Sequence, residues 1–266
     1  MNIWRHELRS LSKSTLIWTV ALSLGVIVFL SMFPAFTKDI ETSQKLLNNF
    51  PPALRSALGI SLKSFFTIYG FFAYLFTFIT LAGAIQAMNL GVGTISKEIS
   101  GKTIDFLLTK PISRAKVISA KLLATLSCLV FTNIIFSLTA LICAKIVSTE
   151  SFSSLTFLLV SATFFLVQLF FLALGSVFTV IISKIKSVIA VSLPTVFAFF
   201  VVSELGAILG NENVRYITPF KFFDPIYTIN HNAYELRFLL IEIVFVLICI
   251  LLTYVIYEKK DIRAAA

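Results

Sequence analysis

An all-α membrane bundle of six transmembrane helices is the fold this chain predicts, and two observations carry that expectation. The first is composition. Of 266 residues, 58% are hydrophobic, 28 are phenylalanine and only 13% are charged, about half the charged share of an average soluble domain. So few charges cannot cover a water-facing surface, which makes a bilayer the solvent for much of the chain. The second is patterning. Uncharged runs recur at bilayer length, and a spanning helix needs roughly 20 mostly apolar residues.

The elements follow in order. The chain opens "MNIWRHELRSLSK", where Trp4, Leu8 and Leu11 fall on one helical face and Arg5, Arg9 and Lys13 line the rest. That pattern predicts an amphipathic helix over 2–13, lying in the inner interface with its apolar side in lipid. The uncharged run 14–37 supplies the first span, 14–36. It is too long, and lacks the small-residue cleavage site, to be a removed signal peptide. Residues 38–60 form an outer amphipathic segment with Leu47, Phe50, Leu54 and Leu58 at helical spacing, interrupted by Pro51-Pro52 and ended by Gly59. The second span is 64–96, the third 122–144 and the fourth 153–182. The second and fourth sit in uncharged runs of 33 residues (64–96 and 151–183), long enough to tilt or to project beyond the lipid. The fifth, 187–209, contains Pro194 and Glu204; the sixth, 238–257, is interrupted only by Glu242. Between them, the outer segment 211–237 crowds Tyr216, Phe220, Phe222, Phe223, Tyr227 and Tyr234 together. Such aromatics anchor a protein at the headgroups or form a lid over an exit path.

Orientation comes from the basic residues, because cytoplasmic loops carry the excess of Lys and Arg. With the N-terminus inside, the inner segments hold 14 of them and the outer segments 8. Both termini and the 97–121 loop are therefore expected in the cytoplasm of a multi-pass cell-membrane protein. The net charge of +9 is then topology plus attraction to anionic lipid, and calls for no nucleic acid.

The loop contains "ISKEISGKTIDF", whose Gly101-Lys102-Thr103 matches the end of a phosphate-binding loop. That loop needs G-x-x-x-x-G-K-[ST] between a strand and a helix. Position 96, where the first glycine belongs, is Ser96, and a membrane helix precedes it. The stretch reads instead as a charged hinge. Gly101 breaks the helix. Thr103 caps a short helix through Phe106, Leu107 and Leu108, with Asp105 in its positively polarised first turn. Lys110-Pro111 stops it, and Ser113 caps the next helix. Composition alone favours a plain return loop.

Within the membrane Asn133, Gln168, Glu204 and Glu242 are the costly residues, and polar groups at depth face other helices or a water-filled path. Asn133 and Gln168 suit interhelical glue. Glu204 and Glu242 fall in the outer halves of their helices, at the headgroup level or facing a cationic or peptide substrate. Cys128, Cys143 and Cys249 lie in apolar runs without metal spacing, as buried small hydrophobes. His6 and His231 fall on opposite sides of the membrane, so no shared metal site is expected.

"KEISGKTIDFLLTKPISRAKVISAK", residues 97–121, resembles the cytoplasmic loop of bacterial ABC-2 type transporter permease subunits. The matching positions are Lys97-Glu98, Gly101-Lys102-Thr103, Leu107-Leu108 and Pro111-Ile112-Ser113-Arg114. "NFPPALRSALGI" (49–60) is similar to the stretch after the first membrane helix in one branch of that family. "TPFKFFDPIYTI" (218–229) is similar to the segment before the last. The resemblance implies a permease subunit of an ATP-driven exporter that is not itself an enzyme, with ATP and Mg on a separate ABC ATPase subunit and no cofactor on this chain. It implies a second permease copy, as a homodimer, or a related permease. Glu98, Gly101, Lys102, Thr103, Asp105, Phe106, Leu107, Leu108 and Arg114 would then be the ATPase-coupling interface, in a coupling helix between the second and third spans. Trp4, Arg5, Leu8 and Arg9 would belong to a connecting helix beside it. Asn133, Gln168, Glu204 and Glu242 are the candidates for the substrate path. An ion-driven secondary transporter, which uses paired broken midplane helices, or a non-transporting scaffold or sensor subunit are the other classes; recovery of an ATPase in a pull-down separates them from the permease.

Overall fold

The computed structural model describes residues 3–51, 55, 65–100, 113–182 and 185–259; of Leu46, Thr94, Ile95 and residues 97–100 it describes the backbone alone. Every regular element among the described residues is helical. The spans are α1 (Ile3–Ser31), α4 (Ile68–Ser100), α5 (Arg114–Val147), α6 (Ser154–Ile181), α7 (Val188–Leu209) and α9 (Leu236–Lys259). Each is long and apolar enough to cross a membrane. Two short helices, α2 (Phe33–Lys38) and α3 (Ile40–Asn48), follow α1. Two 3-10 turns (Glu212–Tyr216 and Pro219–Lys221) and α8 (Pro225–His231) join α7 to α9.

Local chemistry sets these boundaries. Ser113, Ser153 and Ser187 cap α5, α6 and α7 by accepting from the backbone N–H three residues on, satisfying donors that a helix start leaves orphaned. Asp224 caps α8 by accepting from the Ile226 N–H, two residues on, and α7 ends on Gly210 at φ +63°, a left-handed turn that suits glycine.

Several helices run past their apolar cores. α5 has 34 residues, about 50 Å at 1.5 Å per residue, against a hydrocarbon layer of about 30 Å. Of the expected 2–13 helix, residues 3–13 are helical and amphipathic, but they are continuous with the first span rather than set apart. No glycine or proline separates the two, and Ser12 and Thr15 return their hydroxyls to the carbonyls of Arg9 and Leu11. Similarly α4 continues beyond position 96 to Ser100, because Gly101 is the first residue able to break it. The segment between the second and third spans is correspondingly shorter than 97–121.

α1, α5 and α7 run one way and α4, α6 and α9 the other. The start of α5 meets the end of α9, where Arg114 donates to the carbonyls of Tyr257 and Glu258. We call this the basal end, and its opposite the distal end. α4 packs most extensively on α6, α1 on α5, and α9 on α6. α4 and α6 are the most enclosed spans and α7 and α9 the least.

The α4–α6 contact is backbone to backbone. A Cβ at Gly91 would stand 2.5 Å from the Leu172 carbonyl oxygen, and one at Gly175 2.9 Å from the Val92 nitrogen. Small residues at such crossings are how membrane helices approach closely without a hydrophobic driving force. Thr179 reinforces the crossing by donating to the carbonyls of Gly91 and Val92 at 3.1 and 2.7 Å.

Phenylalanine fills the rest. Toward the distal end Phe72 stacks on Phe157 at 4.3 Å and Phe136 on Phe164 at 4.8 Å. Nearer the basal end Phe170 lies flat against Phe245 at 4.0 Å, a spacing at which aromatic pairs add to area burial. The aromatics between α7 and α9 belong to this packing. Phe222 and Phe223 are buried, Phe222 against Phe170 and Phe238, while Tyr216 stays exposed. The headgroup-anchor expectation thus fails for Phe222 and Phe223, because α6 offers them an aromatic face inside the bundle. Of the outer amphipathic positions, Leu47 is buried and Phe50 exposed; Leu54 and Leu58 lie outside the described residues.

Candidate functional site

Three polar features interrupt the apolar bundle. At mid-depth a hydrogen-bonded chain ties four spans together. Asn133 on α5 donates to the Gln168 Oε1 on α6 at 2.5 Å. Gln168 Nε2 donates to the Gly83 carbonyl and to Gln86 Oε1 on α4 at 3.2 and 3.1 Å. Gln86 Nε2 reaches Thr132 on α5 at 3.1 Å, and Thr132 meets Thr19 on α1 at 2.9 Å. Each amide occupies its neighbour, so Asn133 and Gln168 act between helices. The sequence reading passed over Gln86, Thr132 and Thr19; the signal for Gln86 was an amide in the middle of an uncharged run.

Toward the distal end lies a cavity of about 490 Å³. α4 contributes Thr77 and Thr80, α6 contributes Thr163, and α7 contributes Glu204. The α7–α8 connection covers it with Arg215, Phe220, Lys221 and Phe223. Lys221 Nζ stands 3.9 Å from Glu204 Oε1, and Glu204 Oε2 is enclosed with no hydrogen-bond partner among the described residues. Arg215 is turned away to Glu235, its partner, and donates its Nε to the Lys221 carbonyl at 3.1 Å. Burial works to raise the Glu235 carboxyl, but Arg215 and Arg237 outweigh it and hold its pKa below the usual range. Tyr234 closes the same corner, donating to the Leu159 carbonyl at 2.7 Å, and burial pushes its phenol up to about 12. Asn133, Gln168 and Glu242 do not line this cavity. Glu242 is 2% exposed on α9, and neither of its oxygens has a hydrogen-bond partner among the described residues.

The third feature is a joint at the basal end. Lys121 on α5 is 3% exposed and pairs with Glu7 on α1 at 2.8 Å. Trp4 Nε1 donates to Ser127 at 3.4 Å, and Leu8 packs into the core. Arg5 and Arg9 stay exposed. Ser119 bonds Tyr254 on α9 at 2.7 Å, beside the Arg114 bonds to the end of that helix. The sequence reading counted Lys121 only among the inner basic residues, at the end of the 97–121 loop. Its burial depends on Glu7, a lone acid in a basic N-terminal stretch. Of the other positions assigned to coupling, Gly101, Lys102, Thr103, Asp105, Phe106, Leu107 and Leu108 lie outside the described residues, as does the side chain of Glu98.

A family model described as "ABC-2 family transporter protein" matches residues 1–262. The chain belongs to the ABC-2 transporter family. No curated protein matches it. This ABC-2 permease is a multi-pass membrane protein, the transmembrane component of its transporter class. The permease's mid-depth amide chain, distal cavity and basal joint are therefore features of one transport-type bundle, lying at successive depths in it.

Proposed function

We propose that this permease is the transmembrane subunit of an ATP-driven exporter, completed by a separate ABC ATPase and by a second copy of the chain or a related permease. Membership of the family carries this reading. Its residues 103–108 seat in the ATPase, with ATP and Mg held there and none on this chain, and Glu98 bracing the segment. The termini and that segment are cytoplasmic, and the cavity beside Glu204 opens on the outer part of the substrate path.

The basal joint supports the coupling part of the proposal. Ser113, the residue that follows 101–112 in sequence, caps α5. From there Arg114 reaches the end of α9 and Lys121 reaches α1 through Glu7. Breaking a buried pair by removing one partner typically costs about 3–5 kcal/mol, so the joint is stiff enough to pass displacement of the segment to two further spans. The exposed apolar flanks of α1 and α7, such as Ile17, Val20, Val201 and Leu205, are available to lipid and to the second permease.

Purification in mild detergent from native membranes tests the reading. An ATPase polypeptide should accompany the chain, and the chain alone should show no saturable ATP binding. ATP binding by the isolated chain, or a preparation free of any ATPase, overturns the proposal, the latter in favour of a scaffold. Orientation is tested by single-cysteine labelling in a cysteine-free background. A cysteine replacing Ser100 should react with an impermeant maleimide only after cells are opened, whereas one replacing Asn211 should react in intact cells. The reverse pattern would invert the topology.

A further inference from the structure

We propose that the distal cavity binds an amphipathic cation: an ammonium group carried on a compact apolar body. This deepens the exporter reading, on which it rests for the ligand's role as cargo, though not for binding itself.

Charge is the first argument. The lining holds three acids, Glu204, Glu212 and Asp224, against two bases, Arg215 and Lys221, in a chain whose net charge is +9. Of the bases, Arg215 is held by Glu235, which it shares with Arg237. Lys221 is the base that addresses Glu204, at 3.9 Å from Oε1, to which Ser203 also donates. The other oxygen is enclosed with no hydrogen-bond partner among the described residues, which leaves the carboxylate under-satisfied.

The hydroxyls give the second argument. Thr80 commits its proton to the carbonyls of Phe76 and Thr77 at 2.7 and 2.9 Å, and Thr163 commits its own to Val160 at 2.7 Å. Thr77 points its proton at the Ala73 carbonyl. A hydroxyl has one proton and two lone pairs, so with these bonds made the three offer lone pairs to a ligand's donor. The wall selects a donor. A carboxylate or phosphate entering it meets the Glu204 charge and a row of lone pairs.

Shape and apolar lining are the third. A volume of about 490 Å³ falls in the range of small-molecule sites, roughly 300–1,000 Å³, which pair apolar walls with a few fixed polar groups. Phe76, Val167, Phe220 and Phe223 supply the walls, and aromatic faces attract cations as well as hydrocarbon. Lys221 already brings one ammonium toward Glu204. A ligand ammonium would compete with it for the Glu204 carboxylate.

Binding of phenylbutylamine to the purified chain in nanodiscs, measured calorimetrically against empty nanodiscs, tests this. Phenylbutanol and phenylbutyrate serve as the neutral and anionic analogues. Saturable binding of the amine is expected, roughly tenfold or more tighter than either analogue, as for loss of a hydrogen bond to a charged group. Glu204→Gln should weaken the amine by a similar factor, and Lys221→Met should strengthen it by removing the competitor. Equal binding of the alcohol, tighter binding of the carboxylate, or an unchanged Glu204→Gln affinity overturns the site. If Glu204→Gln does not fold, Lys221→Met decides: unchanged or weaker amine binding overturns the proposal. Amine binding by a chain that recruits no ATPase would leave the site standing and remove only the exporter reading, and the opposite result would do the reverse.

Discussion

Gly91→Leu should melt well below the wild-type permease. The Cβ alone would sit 2.5 Å from the Leu172 carbonyl oxygen and about as close to the Gly175 backbone, at 3.0 Å from its Cα. Those are backbone atoms, so no rotamer change relieves the clash and α4 must move off α6. The Thr179 bonds to Gly91 and Val92 are then lost, and the mid-depth amide chain between Gln86 and Gln168 is stretched. Overpacking a close-fitted core costs about 1–3 kcal/mol, occasionally more, and here it falls on the most enclosed helix pair, so the upper end is expected. The glycines provide their own controls. Gly25 has nothing within 4 Å of an added Cβ, so Gly25→Ala should be neutral or slightly stabilising through helix propensity. Gly83→Ala should fall between, because its Cβ meets the Phe164 ring rather than backbone. Thermal unfolding in detergent ranks the three. A Gly91→Leu protein that melts with the wild type would show that α4 and α6 do not cross as closely as described.

What could be read from the sequence follows a physical divide. The spans were legible because one bilayer imposes one length and one polarity on every crossing. Helix ends were less so: Lys97 and Glu98 read as loop by charge, yet nothing in Ser96 to Ser100 breaks a helix, and α4 continues through them. A membrane boundary and a helix boundary are set by different forces. Asn133 and Gln168 were legible as glue because an amide in hydrocarbon needs a partner. Their partner Gln86 was not, since a partner is a fact of three dimensions. Glu204 was singled out by its charge inside an apolar run. Its setting was not foreseeable, because Lys221 arrives from a connection whose path depends on where Phe222 and Phe223 pack. The same holds for Glu7 and Lys121, 114 positions apart in sequence, which look like two ordinary charges until α1 and α5 lie side by side.

Phe106→Ala combined with Leu107→Ala should separate the permease from its ATPase while leaving the bundle intact. The two residues belong to the segment between the end of α4 at Ser100 and the Ser113 cap of α5, and with Leu108 they form its one run of consecutive large apolar side chains. Expression, insertion and thermal stability of the permease alone should match the wild type. Truncating a buried interface anchor typically costs roughly 2 kcal/mol or more, about thirtyfold in affinity, and two adjacent truncations should take the complex below what survives purification. Should the complex persist, hydrolysis ought still to lose its dependence on the permease. The displacement would no longer reach α5, nor α9 and α1 through Arg114 and Lys121. Lys102→Ala, which removes a charge but no apolar anchor, should have a far smaller effect. The measurement is co-purification with the ATPase, followed by transport-linked hydrolysis in liposomes. Wild-type association and stimulation in the double variant would make 101–112 a plain return between two spans, and the coupling surface would have to be sought elsewhere on the basal end.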